Sequence, residues 1–356
     1  MGQNWLSVYY FLNAFKNKFM QKNYLGIDVS KLTFDACLLL VINGVKSNLF
    51  SQQFTNDETG LKQFKKWLET YTVSFDENSL LVIENTGIYH RLLWQFCSNH
   101  FLPIYIGNAA HLKHSFGTVR TKNDQKDAEQ LCKYCYKNAD EIQATPVLNS
   151  SLITLKDLLS NRSKLIQQKN AILQTINELK ISNSKETQTL MLALNKAAID
   201  GLKKSILLIE KAIAKMIKEN DSFYNNFNLL LSVPGIGKIT AAFLICCTNN
   251  FSGKISGKQL ASYAGVVPFE HSSGTSVKKQ PRVHFMANKE LKSILTMGAL
   301  SAIQVYPEFK DYYERKMIEK KKHNLVLNAI KNKMILRAVA VINKNQPYVD
   351  NYKKAC

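Results

Sequence analysis

The sequence predicts an α/β domain, then two long helices, then a mostly α-helical domain. Three observations lead to this prediction. Residues 24–145 alternate short apolar runs with segments of helical spacing, and residues 150–222 contain a single glycine and no proline. The remaining residues again show a mainly helical pattern. At 356 residues, the chain is long enough for two or three domains.

The first domain begins with three predicted strands. YLGIDVS is typical of a short buried strand, and LTFDACLLLV and SNLFSQQF follow as strands joined by a turn at Asn43-Gly44. Helix and strand then alternate through ETGLKQFKKWLETY, SLLVIEN, GIYHRLLWQFCSNH, FLPIYIGN and DQKDAEQLCKYCYK. A meander of strands followed by this alternation is the order of the ribonuclease H-like fold. We therefore expect that fold over residues 24–148.

The chain is strongly basic, with 47 Lys and Arg residues against 27 Asp and Glu residues and a formal net charge of +20. Such an excess favours a polyanionic partner, nucleic acid first, over solubility alone. No apolar run approaches the roughly 20 residues of a membrane span, so we expect no membrane partner. We expect a cytoplasmic, nucleoid-associated protein.

The cysteines and the N-terminus give two further expectations. Seven cysteines without the spacing of a disulfide framework indicate a reducing compartment. Cys132 and Cys135 form a CxxC pair, but no second pair accompanies it, so we interpret them as packing residues rather than a zinc site. Residues 1–23 are predicted to be an N-terminal extension. Because Met20 lies just before the first strand, residues 1–19 are interpreted as an upstream start or a mobile extension.

Four acidic residues in three short motifs are the most informative feature of the chain. They are Asp28 in YLGIDVSK, Glu84 in LLVIENTG, and Asp124 and Asp127 in TKNDQKDAEQL. The first two lie at the ends of apolar strands, where lone charges are costly, and the last two share a helix face. Gathered carboxylates repel one another unless divalent cations bind between them, and oxygen ligands suit Mg²⁺ or Mn²⁺. We predict a metal site for phosphodiester chemistry and interpret Asp35 as a structural neighbour.

Residues 149–222 are predicted to form two long helices with a polar break near SNSKET. An antiparallel hairpin or coiled coil would space the domains or mediate oligomerisation, and an ordinary helical core is the alternative for part of it. Residues 223–345 form the predicted C-terminal domain, and residues 346–356 a tail. The VPGIGKITAA segment of the C-terminal domain is similar to a helix-hairpin-helix turn, in which Gly235, Gly237 and Lys238 approach a phosphate. A plain turn is equally compatible with this sequence.

A serine-rich loop is predicted at the centre of the C-terminal domain, in YAGVVPFEHSSGTSVKK, residues 263–279. The cations Lys278, Lys279 and Arg282 surround it. A serine in a basic, glycine-containing loop can attack a phosphodiester and form a phosphoserine link that conserves bond energy for rejoining. The alternative is a flexible turn. His271 is a base, a phosphate ligand or an ordinary loop histidine.

Five motifs occur in the chain in this order: GIDVSK, ENTGIYH, KNDQKDAEQL, VPGIGKITAA and YAGVVPFEHSSG. On these motifs the chain resembles the transposases of the insertion sequence 110 family, which are related to the Piv/MooV DNA invertases. The resemblance covers nearly the whole chain from about residue 21 to 345. It implies a RuvC-like domain in which the four acids take the positions of a DEDD site that binds Mg²⁺ or Mn²⁺. It also implies a second transposase domain whose nucleophile is the serine before glycine. That serine is Ser273, with Ser272 as the alternative.

The resemblance further implies the partners: donor and target DNA, a structured noncoding guide (bridge) RNA, and a homodimer or homotetramer. In such an assembly the acids and the serine of one active site come from different protomers. The sequence departs from the family at Ala109, where proline is usual, and in RVHFMANKELKS, which lacks the usual Lys-Gly step. The implied activity is RNA-guided DNA recombination. Two alternatives stay open: a metal nuclease of the Holliday-junction-resolving type that uses water, and a nucleic-acid-binding protein with a decayed site.

Overall fold

The computed structural model describes residues 21–116, 123–147, 149–179, 181, 185–253, 255–273 and 277–350, with the backbone alone for residues 270–273 and 277–282. The chain divides into two compact units, residues 1–148 and 149–356. Residues 1–20 of the predicted N-terminal extension and residues 351–356 of the predicted tail lie outside the described residues. Within the ranges given above, no helix has both the length and the apolarity to cross a bilayer.

The first unit contains a mixed six-stranded sheet and four described helices. The strands are β1 (Gln21–Val29), β2 (Thr33–Ile42), β3 (Val45–Lys46), β4 (Phe50–Thr55), β5 (Ser79–Glu84) and β6 (Ile104–Gly107). The helices are α1 (Glu58–Thr70), α2 (Arg91–Asn99), α3 (Ala109–Ser115) and α4 (Asp124–Lys137). The strand order is β3-β2-β1-β5-β6, with β4 also paired to β2.

The sheet is antiparallel on one side of β1 and parallel on the other. β2 pairs antiparallel with β1, β3 and β4, whereas β1, β5 and β6 run parallel. Asn43 and Gly44 both have positive φ angles, of 50° and 82°, which is the geometry of a two-residue hairpin turn and confirms the predicted turn. Three neighbouring parallel strands place their carboxyl ends at one edge of the sheet, where ligands bind in open α/β sheets.

Helices cover both faces of this sheet, which explains why its central strands β1, β2 and β5 contain long apolar runs. On one face, Phe64 and Trp67 of α1 and Phe96 of α2 pack against strand residues that include Leu25 and Ile27. On the other face, α4 contributes Ala128, Leu131, Cys132 and Cys135. The thiols of these two cysteines donate to the carbonyl oxygens of Tyr24 and Leu80, at 3.2 Å each, so they help to hold α4 on the sheet.

Two helices differ from the sequence pattern. The predicted helix GIYHRLLWQFCSNH begins only at Arg91, because residues 87–90 form a turn that starts at Gly87 with φ +77°. Helix α3 was not predicted at all. It begins after Asn108, whose side-chain oxygen accepts from the amides of Ala110 at 2.9 Å and His111 at 3.4 Å.

The second unit is mainly helical. Its helices are α5 (Ser150–Glu178), α6 (Lys185–Lys218), α7 (Asp221–Leu231), α8 (Lys238–Cys247), α9 (Gly257–Tyr263), α10 (Lys289–Val305), α11 (Pro307–Ile318) and α12 (His323–Lys344). The strands β7 (Phe269–Ser273) and β8 (Val277–Arg282) pair antiparallel. The two long helices expected on either side of SNSKET are therefore present as α5 and α6. Their coiled-coil character stays a prediction.

The long helices join the core of this unit near the beginning of α5 and the end of α6. Leu155 and Leu159 of α5 and Ile213 and Ile217 of α6 pack with the shorter helices. Farther along, large apolar residues of α6 are exposed, including Leu190 and Leu194. The core also contains a buried cation: Lys331 of α12 is 4% exposed, and its ammonium donates to the Thr296 hydroxyl at 3.0 Å.

Candidate active site

Asp28 and Glu84 lie side by side at the carboxyl edge of the sheet. In the parallel pair of β1 and β5, Ile27 is in register with Ile83, and the two acids are the next residues along their strands. Both are partly buried. On the other side of β1, Asp28 is in register with Asp35, whose carboxylate accepts from the Gln53 side chain at 3.0 Å. The strand order therefore brings together two of the four predicted acids.

The other two acids reach this edge because α4 packs very closely on β1. Asp124 and Asp127 lie in the first turn of α4, which Asn123 caps by accepting from the Gln125 amide at 3.3 Å. The close contact lies at Gly26: a Cβ built there would sit 2.0 Å from the Cys132 amide nitrogen. Only glycine leaves room for the helix backbone at this distance.

The electrostatics of Asp28 reflect this arrangement. Burial and the charges of Asp127, Asp124, Glu84 and Asp35 together raise the pKa of its carboxyl to about 6, with burial the largest cause and the acids following in that order. All three of the other predicted acids are thus within electrostatic reach of Asp28. The arrangement concentrates negative charge that a divalent cation or a proton would relieve.

The donor set suits a hard divalent cation, because Mg²⁺ and Mn²⁺ bind carboxylate oxygens. The carboxylates are nevertheless not gathered around one point: in the part of the chain that the structure describes, no three His, Cys, Asp or Glu side chains lie close enough to hold a metal ion. Glu84 instead contacts the ammonium of Lys113, at 3.2 Å. The four acids therefore have the ligand chemistry that the ion needs and lie near one another, but Glu84 is paired with Lys113.

Lys113 is the residue of this site that sequence analysis missed. It lies on α3, which follows β6 at the position where Gly107 pairs with Glu84. The signal that could have found it is the sequence NAAHLKHS directly after a strand, since asparagine is a preferred N-cap residue.

In the second unit, the predicted phosphate-binding turn connects α7 and α8. Gly235 has a φ of +86°, and Gly237 is the N-terminal cap of α8, with open space where a Cβ would lie. Gly237 and Lys238 are both exposed. The turn borders a cavity of about 410 Å³ that Arg162 and Ser301 also line. An exposed helix start without a capping side chain leaves amide groups available to an anion.

The residues on both sides of 274–276 lie in the paired strands β7 and β8, so the predicted loop was wrong for Ser272 and Ser273, and residues 274–276 lie outside the described residues. Ser273 is in register with Val277, and Ser272 with Lys278. The pattern FEHSS and VKKQPR gave no strand signal, because it has no apolar alternation and contains Pro281. The side chains of Ser272, Ser273, His271 and the three cations predicted around them (Lys278, Lys279 and Arg282) lie outside the described residues.

Comparison with known proteins agrees with this architecture. The model of the DEDD transposase of IS110 elements matches residues 25–180, and the model for the transposase IS116/IS110/IS902 family matches residues 227–314. The chain is 28% identical over 339 residues to the pilin gene-inverting protein of Moraxella bovis, covering 92% of this chain and 98% of that protein. The corresponding protein of Moraxella lacunata gives the same identity and coverage.

A shorter similarity involves an insertion element. An uncharacterized 43.6 kDa protein of the insertion element IS110 in Streptomyces coelicolor is 34% identical over 101 residues, which cover 28% of this chain and 24% of that protein. Because the two transposase models match in the order of the two units and the Moraxella relatives align over nearly their whole length, the chain belongs to the IS110 family of transposases, enzymes of the DNA transposase and recombinase class.

Proposed function

We propose that this chain is the recombinase of an insertion sequence and that it cuts and rejoins DNA under the guidance of a bridge RNA. The observation that carries the proposal is the placement of Asp28, Glu84, Asp124 and Asp127 at one sheet edge, where burial and the charges of the last three raise the pKa of the first. The Moraxella relatives are named for inverting a gene, and an inversion requires rejoining as well as cutting.

The proposed metal site belongs to a RuvC-like first unit. Asp28 and Glu84 at the strand ends and Asp124 and Asp127 on α4 would hold Mg²⁺ or Mn²⁺. A bound divalent cation supplies charge neutralisation on the oxygens of the phosphodiester during displacement at phosphorus. The sheet holds the two strand acids in fixed register, and the close packing of α4 on Gly26 holds the two helix acids beside them.

Ser273 is the proposed nucleophile, with Ser272 as the alternative. Its hydroxyl oxygen attacks the phosphorus, and the hydroxyl proton passes to a base. The bond from phosphorus to one bridging oxygen breaks, and that oxygen leaves as the hydroxyl of a free strand end. The phosphoserine link conserves the bond energy, so attack by the hydroxyl of a second strand restores the serine and joins the strands. Lys278, Lys279 and Arg282 would bind neighbouring backbone phosphates.

Other parts of the second unit would also contribute to nucleic-acid binding. The amides at Gly235 and Gly237 and the ammonium of Lys238 would bind a phosphate at the start of α8, and the net charge of +20 suits both RNA and DNA. The exposed apolar side chains of α6, such as Leu190 and Leu194, support a coiled-coil contact in a homodimer or homotetramer. Light scattering on the purified protein should then give two or four times the chain mass.

A covalent-trapping experiment tests the proposed reaction. Protein purified with its co-expressed RNA is mixed with labelled donor and target DNA and Mg²⁺, then denatured in detergent. Label that stays with the protein, mapped by mass spectrometry to Ser273, is the expected result. Ser273→Ala should abolish the adduct and the recombinant product, and Ser272→Ala should preserve both. Pretreatment with ribonuclease should abolish recombination at the programmed site.

The other outcomes identify the rival functions. Cleaved DNA without any adduct, undiminished in Ser273→Ala, would establish a nuclease that uses water. Binding without cleavage, with equal affinity in wild type and Asp28→Asn, would establish a nucleic-acid-binding protein whose site has decayed. An adduct that maps to Ser272 would reassign the nucleophile within the same mechanism.

A further inference from the structure

An ion pair joins Lys113 of α3 to Glu84, one of the four predicted metal ligands. Several features fix its position. Gly107 pairs with Glu84 in the sheet, Asn108 caps α3 directly afterwards, and Leu112 is fully buried against the sheet. Lys113 is the next residue, and its ammonium lies 3.2 Å from a carboxylate oxygen of Glu84. The short helix therefore delivers a cation to a predicted metal ligand.

The two side chains of this ion pair differ in how firmly the structure holds them. The Glu84 side chain is 19% exposed and sits at the end of a strand in the sheet, whereas the Lys113 side chain is 59% exposed. Lysine carries its charge on a flexible four-carbon chain. The glutamate is therefore the fixed member of the pair, and the exposed lysine can leave it by a change of side-chain conformation.

An ammonium and a divalent cation attract the same carboxylate oxygens and repel each other. Glu84 lies among acids whose charges raise the pKa of Asp28, so the surroundings favour a cation at this point. The lysine neutralises one carboxylate of the cluster while that carboxylate contacts no other cation in the described residues. A divalent cation that takes Glu84 as a ligand must first displace this lysine.

We propose that Lys113 is a resident counter-ion of Glu84 that competes with the divalent cation and thereby lowers the metal affinity of the site. This inference rests on the proposed function, because it takes Glu84 as a metal ligand. A lysine that only ties α3 to the sheet would act differently. Its loss would loosen α3 and leave the metal affinity unchanged or reduced.

Mn²⁺ titration followed by electron paramagnetic resonance tests the competition without any turnover. Lys113→Ala should bind Mn²⁺ about two- to five-fold more tightly than wild type, which is the value of a partly exposed ion pair expressed as an affinity ratio. Lys113→Arg should bind it more weakly than wild type, because a guanidinium can grip a carboxylate with two hydrogen bonds. Lys62→Ala removes an exposed lysine of α1 in the same unit and serves as the matched control.

The outcomes distinguish the role of Lys113 from the existence of the metal site. If Asp28→Asn weakens Mn²⁺ binding but Lys113→Ala matches the Lys62→Ala control, the competition is refuted and the metal site stands. If wild type, Lys113→Ala and Asp28→Asn all bind Mn²⁺ equally weakly, the metal site itself is refuted. Tighter binding in Lys113→Ala together with weaker binding in Lys113→Arg establishes the competition.

Discussion

Replacing Gly26 by alanine is the sharpest test of how the predicted metal site is built. The added Cβ would lie 2.0 Å from the Cys132 amide nitrogen, 2.4 Å from the Ala128 carbonyl oxygen and 2.5 Å from the Leu131 carbonyl carbon. These are backbone atoms of α4, so no side-chain rotation relieves the overlap. Ordinary contacts of a Cβ begin at about 3.4 Å, so α4 has to retreat by more than 1 Å.

The size of the effect follows from that displacement. Overpacking of this kind costs about 1–3 kcal/mol, which lowers the melting temperature by roughly 3–10 °C. Activity should fall much further, because α4 carries Asp124 and Asp127 and metal ligands tolerate errors of only about 0.2 Å. Misplacing a catalytic group by about 1 Å costs on the order of 100-fold in rate.

Gly60→Ala is the matched control. A Cβ there would lie 1.9 Å from the Thr55 carbonyl oxygen, so it also forces a helix from its strand, but that helix is α1, which bears none of the four acids. Recombination and Mn²⁺ affinity should be measured below both melting temperatures, with circular dichroism as the check on folding. A folded Gly26→Ala that keeps activity within two-fold of wild type would refute the reasoning. So would an equal loss of activity in Gly60→Ala.

Three further predictions concern both units. Asp28→Asn removes one of several mutually repelling carboxylates, so it should stabilise the metal-free protein by about 1–2 kcal/mol in chemical denaturation with EDTA while weakening Mn²⁺ binding at least ten-fold. Burial and the charge of Lys292 lower the pKa of Lys331 to about 8 in the folded protein. Between pH 8 and 10.5, which is the pKa of lysine in the unfolded chain, the unfolded chain binds more protons than the folded one, so stability should rise with pH. Lys331→Met should remove that rise and increase the free energy of unfolding by about 1–2 kcal/mol at pH 7, as measured by denaturant titration. If the pH dependence of stability were unchanged in Lys331→Met, Lys331 would not be the group responsible for the rise. Gly298→Ala places a Cβ 2.3 Å from the Gly235 carbonyl oxygen, so it should distort the turn and weaken nucleic-acid binding at least several-fold in filter or gel-shift assays, whereas Gly201→Ala, which meets open space, should not.

The parts of the fold that follow local rules were predictable from the sequence. The apolar runs of β1 and β5 have the length and composition of buried strands, and α4 spans the predicted helix because Asn123 caps it and Asn138 follows its last residue. The neighbourhood of the acids was predictable too, because the carboxyl ends of adjacent parallel strands meet at one edge. Their role as metal ligands stays a prediction.

The parts that depend on long-range register were not predictable. The pairing of Lys113 with Glu84 joins residues 29 positions apart, and it requires both the alignment of β6 with β5 and a seven-residue helix with little hydrophobic periodicity. The pairing of β7 with β8 was missed for a related reason. A two-stranded ribbon of polar residues lacks the apolar alternation that marks strands, so its pairing is visible only once the chain is folded.

Glycine is the physical link between the sequence motifs and the geometry of both candidate sites. At Gly26 the missing side chain lets a helix backbone rest on a strand, and at Gly298 it lets α10 rest on the turn that contains Gly235. Hydrophobic patterns report which face of an element is buried, but not how closely two backbones approach. A glycine within an apolar strand or helix destabilises the fold unless a close backbone contact of this kind compensates for it. In this chain both contacts position groups proposed to bind a cation or a phosphate, so the motif glycines are as much a part of the sites as the charged residues beside them.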